Sequence, residues 1–169
     1  MPAAMPILDD RTLEFLSHSP EQTRRVGVRL GEMLHGGHLV CLEGDLGSGK
    51  TTLTQGIARG WGALDSVTSP TFVLVNEVHR ADSEVLYHVD AFRLATAEEA
   101  RAMGLAELFA EGRVVVLEWP THVDSILPAD RLRVGMSWVD DSRRSLRFEA
   151  GGAVHLRLLG EFRKAAFGG

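Results

Sequence analysis

The chain has 169 residues, 44% of them hydrophobic and 24% charged, which predicts one globular domain over residues 1–169 and argues against disorder. Its one cysteine, Cys41, excludes an internal disulfide and a thiolate zinc cluster. A net charge of −5 argues against a chain that grips nucleic acid alone, and apolar runs far below the ~20 residues that span a bilayer, with no signal-peptide pattern over Met1 to Asp10, predict a soluble cytoplasmic protein with no membrane partner.

The elements follow in chain order. Arg11–Ser17 reads as a strand, with Leu13 and Phe15 alternating against charge. Ser19-Pro20-Glu21-Gln22 starts a helix: Ser19 caps, Pro20 fits the first turn and Gln22 closes a capping box. Val26, Leu30, Met33 and Leu34 continue that helix, and Gly36-Gly37 ends it. His38–Glu43 is an apolar strand, Gly44–Lys50 a glycine-rich turn, and Thr51–Arg59 a helix. Thr71–Val78 and Glu84–Val89 form a hairpin across Ala81-Asp82-Ser83. Thr96 opens a helix through Met103, and Leu105–Ala110 is a second short helix. Arg113–Glu118 is a buried strand stopped at Trp119-Pro120. Arg131–Trp138 and Ser145–Ala150 form another hairpin, and a last helix carries Val154, Leu158 and Phe162 on one face. This order predicts an α/β sheet flanked by helices, with hairpin strand insertions.

Gly44-Asp45-Leu46-Gly47-Ser48-Gly49-Lys50-Thr51 fits G-x-x-x-x-G-K-[ST] without a mismatch, between a strand and a helix. Glycines let successive N–H groups turn toward phosphate oxygens, and the helix adds its N-terminal dipole. Lys50 is suited to the β- and γ-phosphates and the Thr51 hydroxyl to Mg²⁺. Only Lys50 and Lys164 are lysines among 18 basic residues, so a lysine kept in this loop points to a compact ammonium where a guanidinium is too large.

A phosphate-loop enzyme also needs an acid at the end of a neighbouring strand. Glu118 and Asp90 each end an apolar run and are the two candidates. Thr68-Ser69-Pro70-Thr71-Phe72 lies where such proteins place a loop sensing the γ-phosphate, although an ordinary polar loop fits the composition equally. Asp140-Asp141 reads as a turn, Arg143-Arg144 as a solvated basic pair, Cys41 as a small core residue, and His35-Gly-Gly-His38 as a helix end rather than a metal site.

Several ordered motifs together resemble one family. The phosphate loop through Thr52, Thr68-Ser69-Pro70-Thr71-Phe72, Tyr87-His88-Val89-Asp90-Ala91-Phe92-Arg93-Leu94 and Glu118-Trp119-Pro120 are similar to motifs of the TsaE family, the phosphate-loop ATPases of bacterial tRNA threonylcarbamoyladenosine synthesis. The resemblance spans Ser19 to Pro128; Ser48 and Phe92 replace a usual alanine and tyrosine, and no usable motif follows Pro128. It implies a compact phosphate-loop domain that binds ATP and Mg²⁺ and hydrolyses ATP weakly alone. It implies work with the TsaD and TsaB proteins, resetting that pair for further turnovers, with tRNA met only through the complex. By motif it implies nucleotide contacts from Asp45, Leu46, Gly47, Ser48, Gly49, Lys50, Thr51 and Thr52. Thr51 and Glu118 are the implied Mg²⁺ ligands, and Asp90, Thr71 and Glu118 the implied catalytic or switch residues.

Three other readings stay open on the residues. A small-molecule kinase of this class needs an arginine-rich lid, for which Ser125–Arg133 is the nearest segment. A GTP-dependent switch needs a guanine-reading motif, yet the single asparagine, Asn76, precedes a glutamate. A nucleotide-binding module without turnover has the same loop.

Overall fold

The computed structural model describes residues 9–45, 47–65, 75–91, 94, 96–118 and 124–168. Within them the alternating runs become strands and the 3.6-residue runs become helices, with ends shifted by a few residues. The strands are β1 (Thr12–Ser17), β2 (Leu39–Gly44), β3 (Val75–His79), β4 (Val85–Asp90), β5 (Val114–Glu118), β6 (Leu132–Trp138) and β7 (Arg144–Ala150). The helices are α1 (Pro20–Gly31), α2 (Lys50–Trp61), α3 (Ala97–Ala102), α4 (Leu105–Ala110) and α5 (Ala153–Phe167).

Local chemistry sets the helix ends. Ser19 Oγ accepts from the Gln22 N–H at 3.1 Å, while Gln22 Oε1 accepts from the His18 N–H at 2.7 Å, one residue earlier than a capping box places it. α1 stops at Gly31 rather than at Gly36-Gly37, because tighter bonds from Met33 N–H to Leu30 and from Leu34 N–H to Gly31 replace the helical pattern. Asp130 caps α5 from outside the helix, accepting from the Val154 and His155 N–H groups at 2.9 and 3.1 Å.

One sheet runs in the order β1-β7-β6-β2-β5-β4-β3. The central strands β6, β2, β5 and β4 are parallel, and antiparallel partners extend both sides. Val40 and Leu42 of β2 face α1, α2 and α5, packing against Leu30, Ile57 and Leu158. Leu39 and Cys41 face the opposite layer, with Ala100 of α3 and Leu105 of α4. β5 is buried along its whole length, as a central parallel strand covered on both faces must be. In α5 the buried stripe is His155, Leu158, Leu159 and Phe162, and Val154, which the sequence pattern placed on that face, is 50% exposed.

α1 and α2 lie unusually close. A Cβ added at Gly31 would fall on the Ile57 carbonyl, and one at Gly60 on the Val28 carbonyl, so backbone meets backbone where these side chains are missing. The helix that begins at Lys50 is thereby held by α1 as well as by the sheet.

Candidate nucleotide site

β2 delivers the chain to Gly44 and α2 begins at Lys50, so the glycine-rich segment is the turn between a central strand and a helix N-terminus. Gly47 (φ 81°) and Gly49 (φ 101°) take left-handed conformations that side chains disfavour. Gly49 is the N-cap of α2 and makes no side-chain cap, leaving first-turn N–H groups for an anion. Gly44 sits opposite Met136 of β6, whose carbonyl oxygen would lie 2.5 Å from a Cβ there.

Lys50 is only 8% exposed, and its Nζ donates to the loop's own Gly44 and Asp45 carbonyls, the latter at 3.2 Å. Burial pulls the ammonium below the usual lysine range, and the carboxylates of Glu118, Asp45 and Asp90 oppose that pull. Those three acids therefore act on the lysine of the loop. The Ser48 Oγ is buried with no hydrogen-bond partner among the described residues, although its N–H donates to the Asp45 carbonyl at 3.0 Å. Thr51 is exposed on the first turn of α2 and Thr52 is half-buried behind it.

Glu118 and Asp90 are brought together by register. Leu42 of β2 pairs with Glu118 of β5, and Glu118 pairs with Asp90 of β4. Registered neighbours share a face, and Leu42 belongs to the layer that packs under α2. Both acids thus end parallel strands on the helix side beside the glycine loop. Sequence reasoning missed the buried His88, two residues before Asp90 on the same face. Its Nε2–H donates to Glu118 Oε2 at 2.9 Å. The alternation in Leu86, His88 and Asp90 was the available signal, though nothing local named the partner 30 residues away.

Arg144 is the other residue missed. Its sequence neighbourhood suits a solvated basic pair, but its Nε donates to the Gly47 carbonyl at 3.1 Å across 97 residues of sequence. Asp140 shapes the turn as expected, accepting from the N–H groups of Ser142 and Arg143 at 3.0 and 2.8 Å. Cys41 is fully buried, and burial pushes its thiol up to about 12. The His35 N–H donates to His38 Nδ1 at 3.0 Å, and no group of three or more His, Cys, Asp or Glu side chains placed to hold a metal ion occurs among the described residues. Leu46, Thr71 with the rest of Thr68-Ser69-Pro70-Thr71-Phe72, Phe92-Arg93 and Trp119-Pro120 lie outside the described residues.

A glycine loop between a central parallel strand and a helix, flanked by strand-end carboxylates, defines a phosphate-loop α/β protein. The family model described as "Threonylcarbamoyl adenosine biosynthesis protein TsaE" matches residues 17–146, and the chain belongs to that family. The match runs through β6 into β7, past Pro128 where the sequence motifs stopped. The chain is 34% identical to the tRNA threonylcarbamoyladenosine biosynthesis protein TsaE of Bacillus subtilis over 142 residues, 84% of this chain and 88% of the relative. It is 39% identical to the protein of that name from Haemophilus influenzae over 124 residues, covering 70% and 78%. The crystal structure of Bacillus subtilis YdiB superposes with a TM-score of 0.75 at 30% identity, over 90% of this chain and 95% of that one.

Proposed function

We propose that this chain is the ATP-binding and weakly hydrolysing component of tRNA threonylcarbamoyladenosine synthesis, acting in the cytoplasm with TsaD and TsaB to permit repeated turnovers. In this reading tRNA is met through the complex, in keeping with the net charge of −5. The observation that carries the ATPase part is the registered pair Asp90 and Glu118 beside a loop whose lysine feels both carboxylates.

The residues fit the chemistry. Oxygen donors at Thr51 and Glu118 suit a hard divalent cation, and Mg²⁺ held there would offset charge on the phosphate oxygens. Lys50 would leave the Gly44 and Asp45 carbonyls for the β- and γ-phosphates, exchanging neutral acceptors for charged ones. The N–H groups of Gly47 to Thr52 would cradle the phosphates. Asp90 is one strand further from the loop than Glu118, a place suited to orienting or deprotonating the attacking water. Thr71, by its motif, would sense the γ-phosphate.

The test is nucleotide affinity with and without Mg²⁺, together with ATP turnover in the presence of TsaD and TsaB. Glu118→Ala should weaken Mg²⁺-dependent ATP binding. Asp90→Asn should leave binding nearly intact and slow hydrolysis by about 10²–10⁴. Loss of binding in Asp90→Asn with an unaffected Glu118→Ala would invert the two roles. Turnover indifferent to both would remove the site.

A further inference from the structure

The β6–β7 turn stands against the glycine loop, on the side of β2 away from Glu118 and Asp90. Its two arginines are used differently. Arg143 is committed to Asp140, with Nε donating to Oδ2 at 2.6 Å. Arg144, in contrast, has no carboxylate partner among the described residues. Its guanidinium donates to three neutral carbonyls, those of Gly47, Asp140 and Arg143, at 3.1, 2.5 and 2.9 Å. Its stem passes over Gly49, with Cγ 3.9 Å from where a Cβ would stand, and it lines a cleft of about 60 Å³ with Pro20, Thr23 and Thr52. The Lys50 ammonium also donates to loop carbonyls, those of Gly44 and Asp45.

We propose that Arg144 is a second phosphate-binding cation of this site, its guanidinium exchanging the Gly47 carbonyl for oxygens of the α- and β-phosphates of a bound nucleotide. The inference rests on the nucleotide reading given above. The sheet order assigns the position along the ligand. Glu118 and Asp90 on β5 and β4 mark the γ end, so a cation arriving from β7, beside Gly49 and Thr52, meets the phosphates nearest the nucleoside. The exchange is favourable because a guanidinium–phosphate pair is charge-assisted and matches the fork, whereas a carbonyl takes one neutral bond. The same contact explains why a basic residue is kept half-buried against a loop already crowded with N–H donors.

Calorimetric titration of ATP and ADP into the full chain, at low and high salt, tests it on Arg144→Gln, Arg144→Lys and the control Arg143→Gln. Arg144→Gln should weaken ATP and ADP by similar factors, about 10–100-fold, since a hydrogen bond to a charged group is worth roughly 1.5–3 kcal/mol. It should also flatten the salt dependence; Arg144→Lys should fall between, and Arg143→Gln should match wild type. ADP affinity within twofold of wild type in Arg144→Gln would overturn the proposal. So would a loss of affinity with unchanged salt dependence, which would make Arg144 a prop for Gly47 only. A wild-type chain that binds neither nucleotide is a separate result, and it would overturn the nucleotide reading itself.

Discussion

His88 Nε2 and Glu118 Oε2 are 2.9 Å apart on adjacent strands, with side chains only 2% and 9% exposed. The imidazole N–H fixes one oxygen of a carboxylate that ends a strand beside the phosphate loop. His88 Nδ1 has no hydrogen-bond partner among the described residues, and Nε2 is the ring nitrogen that meets the carboxylate.

A donor that orients a metal-holding carboxylate is commonly worth 10–100-fold in metal affinity. His88→Ala should therefore reduce Mg²⁺-dependent ATP affinity by about 10-fold or more while metal-free ADP binding stays close to wild type. Parallel titrations with and without Mg²⁺ read the difference. Equal losses in both would mean that His88 only fills space.

The far end of β2 predicts a pH response. His38 accepts from the His35 N–H, while His155 donates from Nδ1–H to Asp130 at 2.7 Å and accepts the Leu39 N–H at Nε2 at 2.9 Å. Burial, then the neighbouring His35 and His155, push His38 down from 6.5 to about 4, against the pull of Asp130. Burial also lowers His155, against the same aspartate. Below pH 6.5 the unfolded chain takes up protons that folded His38 refuses until about pH 4, so stability is full above pH 6.5 and drains as pH falls through that window. The His38 share is on the order of 3 kcal/mol. Tm measured from pH 8 to 4 should be level and then fall, and His38→Asn, whose amide oxygen can still accept the His35 N–H, should fall less steeply. Identical profiles would exclude His38 as a source.

Gly60→Ala tests the close helix pair. Helix propensity alone favours alanine by about 1 kcal/mol. The added methyl, however, would meet the Val28 carbonyl, which is backbone and cannot swing aside. Overpacking should win, with a net loss of about 1–3 kcal/mol in denaturant unfolding. A variant more stable than wild type would show that α1 and α2 can separate without cost.

What could be read from the residues was local. The glycine loop was legible because its spacing is set by phosphate geometry, and β2 and β5 because strands covered on both faces are continuously apolar. Glu118 and Asp90 were legible as strand ends. Contacts across the sheet were not. His88 and Arg144 take their meaning from Glu118 and Gly47, which only strand order brings near. The apolar pattern puts Val154 on the covered face of α5 with Leu158 and Phe162, yet His155 takes the core position, because Asp130 and the Leu39 N–H satisfy its ring from two other segments. α1 ends at Gly31 because tighter bonds at Met33 and Leu34 close its last turn, a feature absent from α1's own periodicity.

The placement of β6 and β7 has a consequence for translation. β2, which carries the phosphate loop, lies beside β6, and the Arg133–Glu43 ion pair between them joins residues 90 apart. β1 waits longer, since its Glu14 meets Arg147 133 residues later. A ribosome adding roughly 5–20 residues per second exposes the glycine loop several seconds before the strand that flanks it exists. The nascent loop must spend that interval without one wall, and sheet closure across such separations is slow. Competence to hold a nucleotide would accordingly arrive late and all at once, as the β6–β7 hairpin emerges and docks.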